Sequence, residues 1–477
     1  MALQFEPKRV DAMSAAKELI DSGQLERRLG DLVALRTESQ NPAQAAVLDQ
    51  YLRQMIRPLL INMGFEVDLH QNPIVGAPPL LLANRLENPD LPTILIYGHG
   101  DVTHGQDDAW DAGLSPFATV TRDGLLFGRG TADNKGQHLI NLMALKTLID
   151  LRGSLGFNAK VLIEMGEEIG SPGLDAFCAA QRLALAADVL IASDGPRLMA
   201  EIPTLFMGSR GAVNFDLEVR LRNRAHHSGN WGGLLADPAT ILIQALASLT
   251  DARGQIMLSE WRPSSLTPDI RAALARLPDE TGDTEAIDPN WGEEGLTPNE
   301  RVFGWNSFAV LAMKSGVPEA PVNAISGHAR ATCQLRFVVG TDADDIVPAL
   351  RRHLDRTGFE MVDIIADDKI AFQATRVAPD NPWVNFVATS LKSSTQNAPH
   401  ILPNLAGSLP NHCFSDILGL PTIWIPHSYR GCAQHAPNEH VPIALLHQAL
   451  SVMVGLYWDL GQRKTPERAA AIKGAPA

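Results

Sequence analysis

Thr93-Ile94-Leu95-Ile96-Tyr97-Gly98-His99-Gly100-Asp101-Val102 is the stretch from which the rest of the chain can be read. Its first half is the short apolar run of a buried strand. The run stops by presenting a histidine and a carboxylate two residues apart. In open α/β sheets, ligands collect at the carboxyl ends of strands, and imidazole with carboxylate suits zinc or a similar divalent ion. A lone His-x-Asp carries little weight. Four acidic or histidine clusters further along the chain stand in a similar setting.

The bulk properties set the frame. At 477 residues the chain exceeds one ordinary core, so two domains are expected. A formal charge of −14 argues against nucleic acid or an anionic membrane as partner. Cys178, Cys333, Cys413 and Cys432 are far apart and form no C-x-x-C. They fit reduced thiols in a cytoplasmic protein. The start, Met1-Ala2-Leu3-Gln4-Phe5-Glu6-Pro7, lacks the basic and apolar regions of a signal peptide. No apolar run is expected to approach the roughly 20 residues of a membrane helix.

Along the chain, residues 10–36 and 43–63 read as helices; in the second, Val47, Leu48, Leu52, Met55, Ile56, Leu59 and Leu60 recur at helical spacing before Gly64. Strands are expected near 65–69, 80–85, 93–97, 160–165 and 189–193, with a helix over 139–151. Strands alternating with helices predict an α/β fold with a mostly parallel sheet. After Gly208-Ser209-Arg210-Gly211 the texture changes. Stretches 213–221 and 329–339 alternate like half-exposed strands, 236–250 and 344–357 read as helices, and 262–304 reads as an irregular insertion rich in Pro, Gly and acids. A separate α+β domain inserted over 212–376 is therefore expected, between parts of the first domain at 1–211 and 377–477. Pro379-Asp380-Asn381-Pro382 marks the return. Helices over 383–394 and 441–460 and a strand over 421–425 complete the first domain, and the tail from Arg463 on reads as disordered.

The second cluster, Gly128-Arg129-Gly130-Thr131-Ala132-Asp133-Asn134-Lys135-Gly136, offers Asp133 as a ligand or as a helix cap. It has neither the order of a phosphate-binding loop nor that of a dinucleotide fingerprint. The third is Glu164-Met165-Gly166-Glu167-Glu168. Adjacent glutamates at the end of an apolar strand are costly unless paired or metal-bound. Neighbours on an extended chain point in opposite directions, so one carboxylate can bind metal while the other faces a water. The fourth is Ser193-Asp194-Gly195-Pro196, and the fifth runs from Cys432 to His440 and contains His435. Together, His99, Asp133, Glu168, Asp194 and His435 suggest a two-metal site in which Asp133 bridges the ions.

These motifs, in this order and spacing, resemble the M20 family of metallopeptidases and amidohydrolases, and within it the carnosinase-like dipeptidase branch. The resemblance implies a di-metal catalytic domain with an inserted lid that carries a homodimer contact. It implies two divalent ions per subunit, zinc in the first place, with manganese or cobalt as alternatives: one on His99, Asp133 and Asp194, the other on Asp133, Glu168 and His435. Glu167 matches the general base acting on a metal-bridging water, Asp101 the carboxylate that orients His99, and Asp133-Asn134 a cis peptide. Ala225-His226-His227-Ser228-Gly229 matches the lid motif whose histidine reaches the partner subunit's site and stabilises the oxyanion there; that is His227, with His226 as rival. Asn323 matches a second polar group for the same oxyanion, and Arg336, Gly407 and Ser408 the groups that hold the substrate's carboxylate. One feature departs from the branch: before Gly407-Ser408, where dipeptidases carry an acid for the free amino group, the chain has Pro403-Asn404-Leu405-Ala406. The implied activity is hydrolysis of an amide or peptide bond beside a free carboxylate. The substrate would be a small peptide or, in the alternative, an N-acyl amino acid; a non-catalytic metal-binding protein is the remote third reading. No G-x-S-x-G elbow supports a serine hydrolase.

Overall fold

A computed structural model describes residues 7–278, 287–366, 372–462 and 465–466. The tail from Arg463, apart from residues 465–466, lies outside the described residues, as do residues 279–286 of the acid-rich insertion. The chain forms two compact units: Met1–Gly208 with Val377–Ile401 and Pro410–Ala477, and Ser209–Arg376 with Leu402–Leu409.

The first unit is built on an eight-stranded sheet. Its order is Glu66–His70, Leu80–Arg85, Asn158–Glu164, Thr93–His99, Val189–Ala192, Thr422–Trp424, Thr204–Phe206 and His400–Leu402. The four strands from Asn158–Glu164 to Thr422–Trp424 run parallel, and antiparallel pairs flank them. Every residue of Thr93–His99 is buried. Ile94 and Ile96 join Val161, Ile163, Val189 and Ile191 in one core with residues of helices Lys135–Arg152 and Ile443–Gln462. Tyr97 lies in an aromatic cluster instead, with ring centroids 5.0 Å from Phe414 and 5.7 Å from Trp424. A strand apolar on both faces belongs in the covered, parallel part of a sheet, which is why its sequence shows an unbroken run.

Three of the helical stretches expected in this unit differ from the reading. The first predicted helix is two, Arg9–Asp21 and Gln24–Val33, because Gly23 adopts a left-handed conformation, φ +63°, at the break. The stretch around 45–62 is helical but widens to π-type turns over Tyr51–Ile56 just before Pro58, which has no N–H for the regular ladder. Helix Ile443–Gln462 has the length and composition to cross a bilayer, contrary to expectation. Its apolar side chains are spent inside the protein: Leu446, Leu450, Met453, Leu456 and Tyr457 are fully buried.

The second unit has a four-stranded antiparallel sheet, Ser307–Ser315, His328–Phe337, Gly211–Arg220 and Asp363–Ala366. Val213, Phe215, Leu217, Val219, Ala331, Cys333 and Leu335 pack on helices Pro238–Leu249 and Ile346–Arg356. The alternate residues face away and are polar, the period-2 pattern of a half-covered sheet. The 262–304 stretch is less irregular than its composition suggests. Thr267-Pro268 and Thr297-Pro298 each start a helix, Pro268–Leu274 and Pro298–Phe303, with the threonine as cap and proline in the first turn.

Candidate metal centre

Strand register builds the site. Thr93–His99 and Asn158–Glu164 are paired in parallel with His99 opposite Glu164. They end level, so the loop carrying Asp101 and the loop carrying Glu167 and Glu168 emerge side by side. The two loops are tied directly: the Asp101 carboxylate accepts the backbone N–H of Glu167 at 3.2 Å and of Glu168 at 3.1 Å. Asp194 follows strand Val189–Ala192, and His435 lies beyond the two-residue strand Ser428–Tyr429 and the short turn Arg430–Cys432 that come after Thr422–Trp424.

Asp133 reaches both sides of the centre. Its Oδ1 lies 3.3 Å from His99 Nε2, and its Oδ2 lies 3.1 Å from His435 Nε2. His99 Nε2 is also 3.5 Å from Asp194 Oδ2, and His435 Nε2 is 3.2 Å from Glu168 Oε2. The result is two triads, His99–Asp133–Asp194 and Asp133–Glu168–His435, each with its donor atoms within 4.8 Å of one another. His99 Nδ1 is 3.1 Å from the Asp101 carbonyl oxygen and 3.4 Å from its Oδ1. That arrangement directs the Nδ1 proton to Asp101 and leaves Nε2 as the ligand atom. Neither His99 Nε2 nor Asp194 Oδ2 has a hydrogen-bond partner, although both atoms are buried. Buried polar atoms left unpaired are costly, and a cation between them removes that cost.

The charge balance points the same way. Burial disfavours a proton on His99, yet Asp101, Asp133 and Asp194 together raise its pKa well above the usual imidazole range. Asp133 and then Glu168 push His435 up to about 11 against its burial. A set of acids that holds protons on two imidazoles this strongly is under-supplied with positive charge, and nitrogen and oxygen donors in this number suit a pair of divalent cations. Burial also raises Glu168 to about 7. It pushes Glu167 well above the carboxylate range, opposed by His99 and helped by Asp194, Glu168 and Asp133.

Asp133 is held by groups that no local motif reveals. The fully buried Glu439 accepts the N–H groups of Gly130, Ala132 and Asp133 on Oε1 at 3.0, 3.0 and 3.1 Å. Its Oε2 pairs with Arg129 at 2.7 Å. Asn134 Nδ2 donates to the Ser193 carbonyl at 2.8 Å, and the Asp133–Asn134 peptide is cis. Helix Lys135–Arg152 begins directly after it. At Gly136 a Cβ would lie 2.0 Å from the Thr131 carbonyl oxygen, so only glycine lets the loop fold back on the helix.

The remaining expected residues lie in the second unit, in two groups. Two-residue strands pair His226 with Ile325 and His227 with Ala324, and the Asn323 carbonyl accepts the Ser228 N–H at 2.9 Å. His227 and Asn323 are thus close and both exposed. His227 Nδ1 accepts the Gly229 N–H at 3.0 Å, while His226 packs edge-on against Trp231. In the other group, Arg336 Nη1 donates to Ser408 Oγ at 3.0 Å, and the Gly407 carbonyl accepts the Arg210 N–H at 3.1 Å.

Residues 95–459 match peptidase family M20/M25/M40. The chain is 34% identical to the mouse Beta-Ala-His dipeptidase over 244 residues, 48% of this chain and 49% of that one. It thus spans about half the length of that relative. It is 26% identical to the Cys-Gly metallodipeptidase DUG1 of Candida albicans over 408 residues, 81% of this chain and 82% of the other. The fold superposes on human carnosine dipeptidase 1 with a TM-score of 0.75 at 20% identity, covering 94% of this chain and 100% of that one.

Proposed function

Because the chain belongs to peptidase family M20/M25/M40, we propose that it hydrolyses an amide or peptide bond next to a free carboxylate, in the manner of a dipeptidase. The observation that carries the reading is Asp133, shared through its two oxygens by two triads, with Glu167 beside them. His99, Asp133 and Asp194 would hold one divalent cation, and Asp133, Glu168 and His435 a second. Zinc heads the choice; manganese and cobalt suit the same donors. When bound, the pair acidifies water and withdraws charge from a carbonyl.

Glu167 is the base in this reading. It takes a proton from the attacking water and delivers it to the leaving nitrogen. Asp101 fixes the His99 ring and, through the two backbone N–H groups, the loop that carries Glu167. His227 is the donor to the developing oxyanion: with Nδ1 accepting from Gly229, the neutral ring carries its proton on Nε2. Asn323 supports the same oxyanion. Arg336, Ser408 and the Gly407 loop hold the carboxylate.

One observation favours the second reading, an N-acyl-amino-acid deacylase. Between Leu402 and Ser408 there is no carboxylate to hold a free amino group. Asn404 is occupied, accepting from Arg376 Nη2 at 2.9 Å and donating to the Leu405 carbonyl. A homodimer through the second unit and a cytoplasmic location belong to the same proposal; four buried cysteines, all free, support the latter.

The test is turnover of dipeptides beside their N-acetylated forms, with zinc, manganese and cobalt, on the intact chain and on Glu167→Gln. The intact chain should cleave one set. The variant should lose a factor of about 10² to 10⁴, the range of general acid–base contributions, while retaining about two ions per chain by elemental analysis. Normal turnover by E167Q would remove the base, and an inactive, fully loaded wild type would remove the hydrolase.

A further inference from the structure

Arginines on the polar face of the second unit's sheet are not treated alike. On strand His328–Phe337, Arg330 has an acid to meet: Asp216, on the neighbouring strand, pairs with it. Six residues on, Arg336 has none. Its partners in register are Ala212 on one side and Ser307 on the other, and the next pair, Gln334 and Asn214, is neutral. Among the described residues its one side-chain hydrogen bond is to the Ser408 hydroxyl.

Arg210 lies just before strand Gly211–Arg220, and its side chain reaches Ser307 on the outermost strand. It is 8% exposed. Its Nε donates to the Ala406 carbonyl at 2.6 Å and its Nη1 to Ser307 Oγ at 3.3 Å. Ser307 is also the register partner of Arg336, so the residue that Arg210 reaches stands beside Arg336 in the sheet, and both guanidinium groups donate to one short loop, residues 402–409. Among the described residues neither arginine has an ion-pair partner, and Arg210 Nη2 and Arg336 Nε and Nη2 have no hydrogen-bond partner. Burial, and then the charge of Arg336, bring Arg210 down to about 10. Two neighbouring cations, one of them nearly dry, cost folding energy unless an anion visits them.

One carboxylate needs one fork; two forks side by side have capacity for two. From this we propose that Arg210 and Arg336, with Ser307 and Ser408, form a pocket for a dianionic group, so that the substrate's carboxylate-side residue is itself acidic: a C-terminal glutamate or aspartate. This rests on the hydrolase reading and narrows it. Arg336 takes the α-carboxylate, as proposed above, and Arg210 the side-chain carboxylate.

The test compares kcat/KM for Ala-Glu with Ala-Gln, and Ala-Asp with Ala-Asn, or the N-acetyl amino acids if those are what the protein cleaves. Each pair has nearly the same shape and differs by one charge. The metal-loaded wild type should favour the acidic member at least tenfold. Arg210→Gln should bring that ratio towards one, and Arg336→Gln should depress both members. Two outcomes overturn the proposal: a wild-type ratio near or below one, or a ratio that R210Q leaves intact. If R210Q lowers both members alike, Arg210 serves the α-carboxylate or the loop, and the proposal fails. If R210Q does not fold by circular dichroism, R210K replaces it; it keeps the charge, loses the fork, and should still lower the ratio. A direct binding measurement separates this from the hydrolase reading. Calorimetry with N-acetylglutamate and N-acetylglutamine should show the same preference in the wild type, diminished by the Arg210 variant, whether or not any amide is cleaved. No preference in binding overturns the pocket even if the enzyme is active.

Discussion

A carboxylate wholly out of water has to be balanced, and Glu439 shows how much structure can hang on one that is. Three backbone N–H groups and the Arg129 guanidinium converge on it, and one of those N–H groups is Asp133's own. Glu439→Ala would leave a buried cation and three donors unpaired, a loss of the kind that costs about 3–5 kcal/mol. Denaturant unfolding should show that loss, with Glu439→Gln losing less because it still offers an acceptor of the same shape. A change below about 1 kcal/mol in E439A would mean the loop is held elsewhere. The five candidate ligands, by contrast, are legible in the sequence. His99, Asp133, Glu168 and Asp194 stand at the end of an apolar run or in a glycine turn, where they would be costly without a partner, while His435 stands in a polar loop well beyond the run 421–425. Glu439 has no such mark. In Ala436-Pro437-Asn438-Glu439 it is one polar residue among others, and the amides it serves belong to residues 130–133. Arg210 is hidden for the opposite reason: in Gly208-Ser209-Arg210-Gly211 it reads as a boundary residue, and only its hydrogen bonds to Ser307 and Ala406 bring it near Arg336.

Among the elements, strand Ser307–Ser315 escapes sequence reading because it does not alternate: Phe308-Ala309-Val310-Leu311-Ala312-Met313 is apolar throughout and borders a stretch that composition marks as irregular. Its place explains the pattern. It is the outermost strand of the four-stranded sheet, paired on one side only, and a bulge between Val310 and Ala312 interrupts the period. Val310, Leu311 and Met313 are 44%, 55% and 44% exposed. An edge with open N–H and C=O groups and apolar side chains is what soluble proteins avoid unless something pairs with it. A second copy of the same edge satisfies both needs under a twofold axis. The chain should therefore sediment as a dimer at micromolar concentration. The double variant L311K/M313K should sediment as a monomer with an unchanged circular dichroism spectrum, since charges at an edge block pairing without touching the core. A wild type that sediments as a monomer rules this contact out. By contrast, the central strands Thr93–His99, Asn158–Glu164 and Val189–Ala192 and the helix Lys135–Arg152 are readable with only their ends displaced, because burial imposes its pattern on them, whereas the short buried strand Thr204–Phe206 leaves too little sequence to read.

At the scale of the molecule, the candidate metal ligands span positions 99 to 435, yet all of them belong to the first unit. The second unit's residues, 209–376 and 402–409, fall between Asp194 and His435 in the chain and contribute no donor to either triad. Binding of the cations should therefore stabilise the two units unequally. A ligand bound only by the folded form adds RT ln(1 + [L]/Kd), about 4 kcal/mol at a thousandfold excess over Kd. Here that stabilisation ties together loops from five strand ends while leaving the second unit's sheet to its own packing. Hydrogen exchange of the loaded protein against the chelated one checks this. Backbone amides at 98–102, 128–136, 164–170, 192–195 and 432–440 should gain protection on loading, with Asp133 and Glu168 among the largest changes, because their N–H groups are bonded to the Glu439 and Asp101 carboxylates that brace the ligands. Amides of Gly211–Arg220 and His328–Phe337 should exchange as before. Equal protection in both units would mean that the ions act on the whole chain rather than on the centre. Protection confined to the Asp133–Glu168–His435 loops would leave His99 and Asp194 without an ion, and with it the two-cation reading would fall.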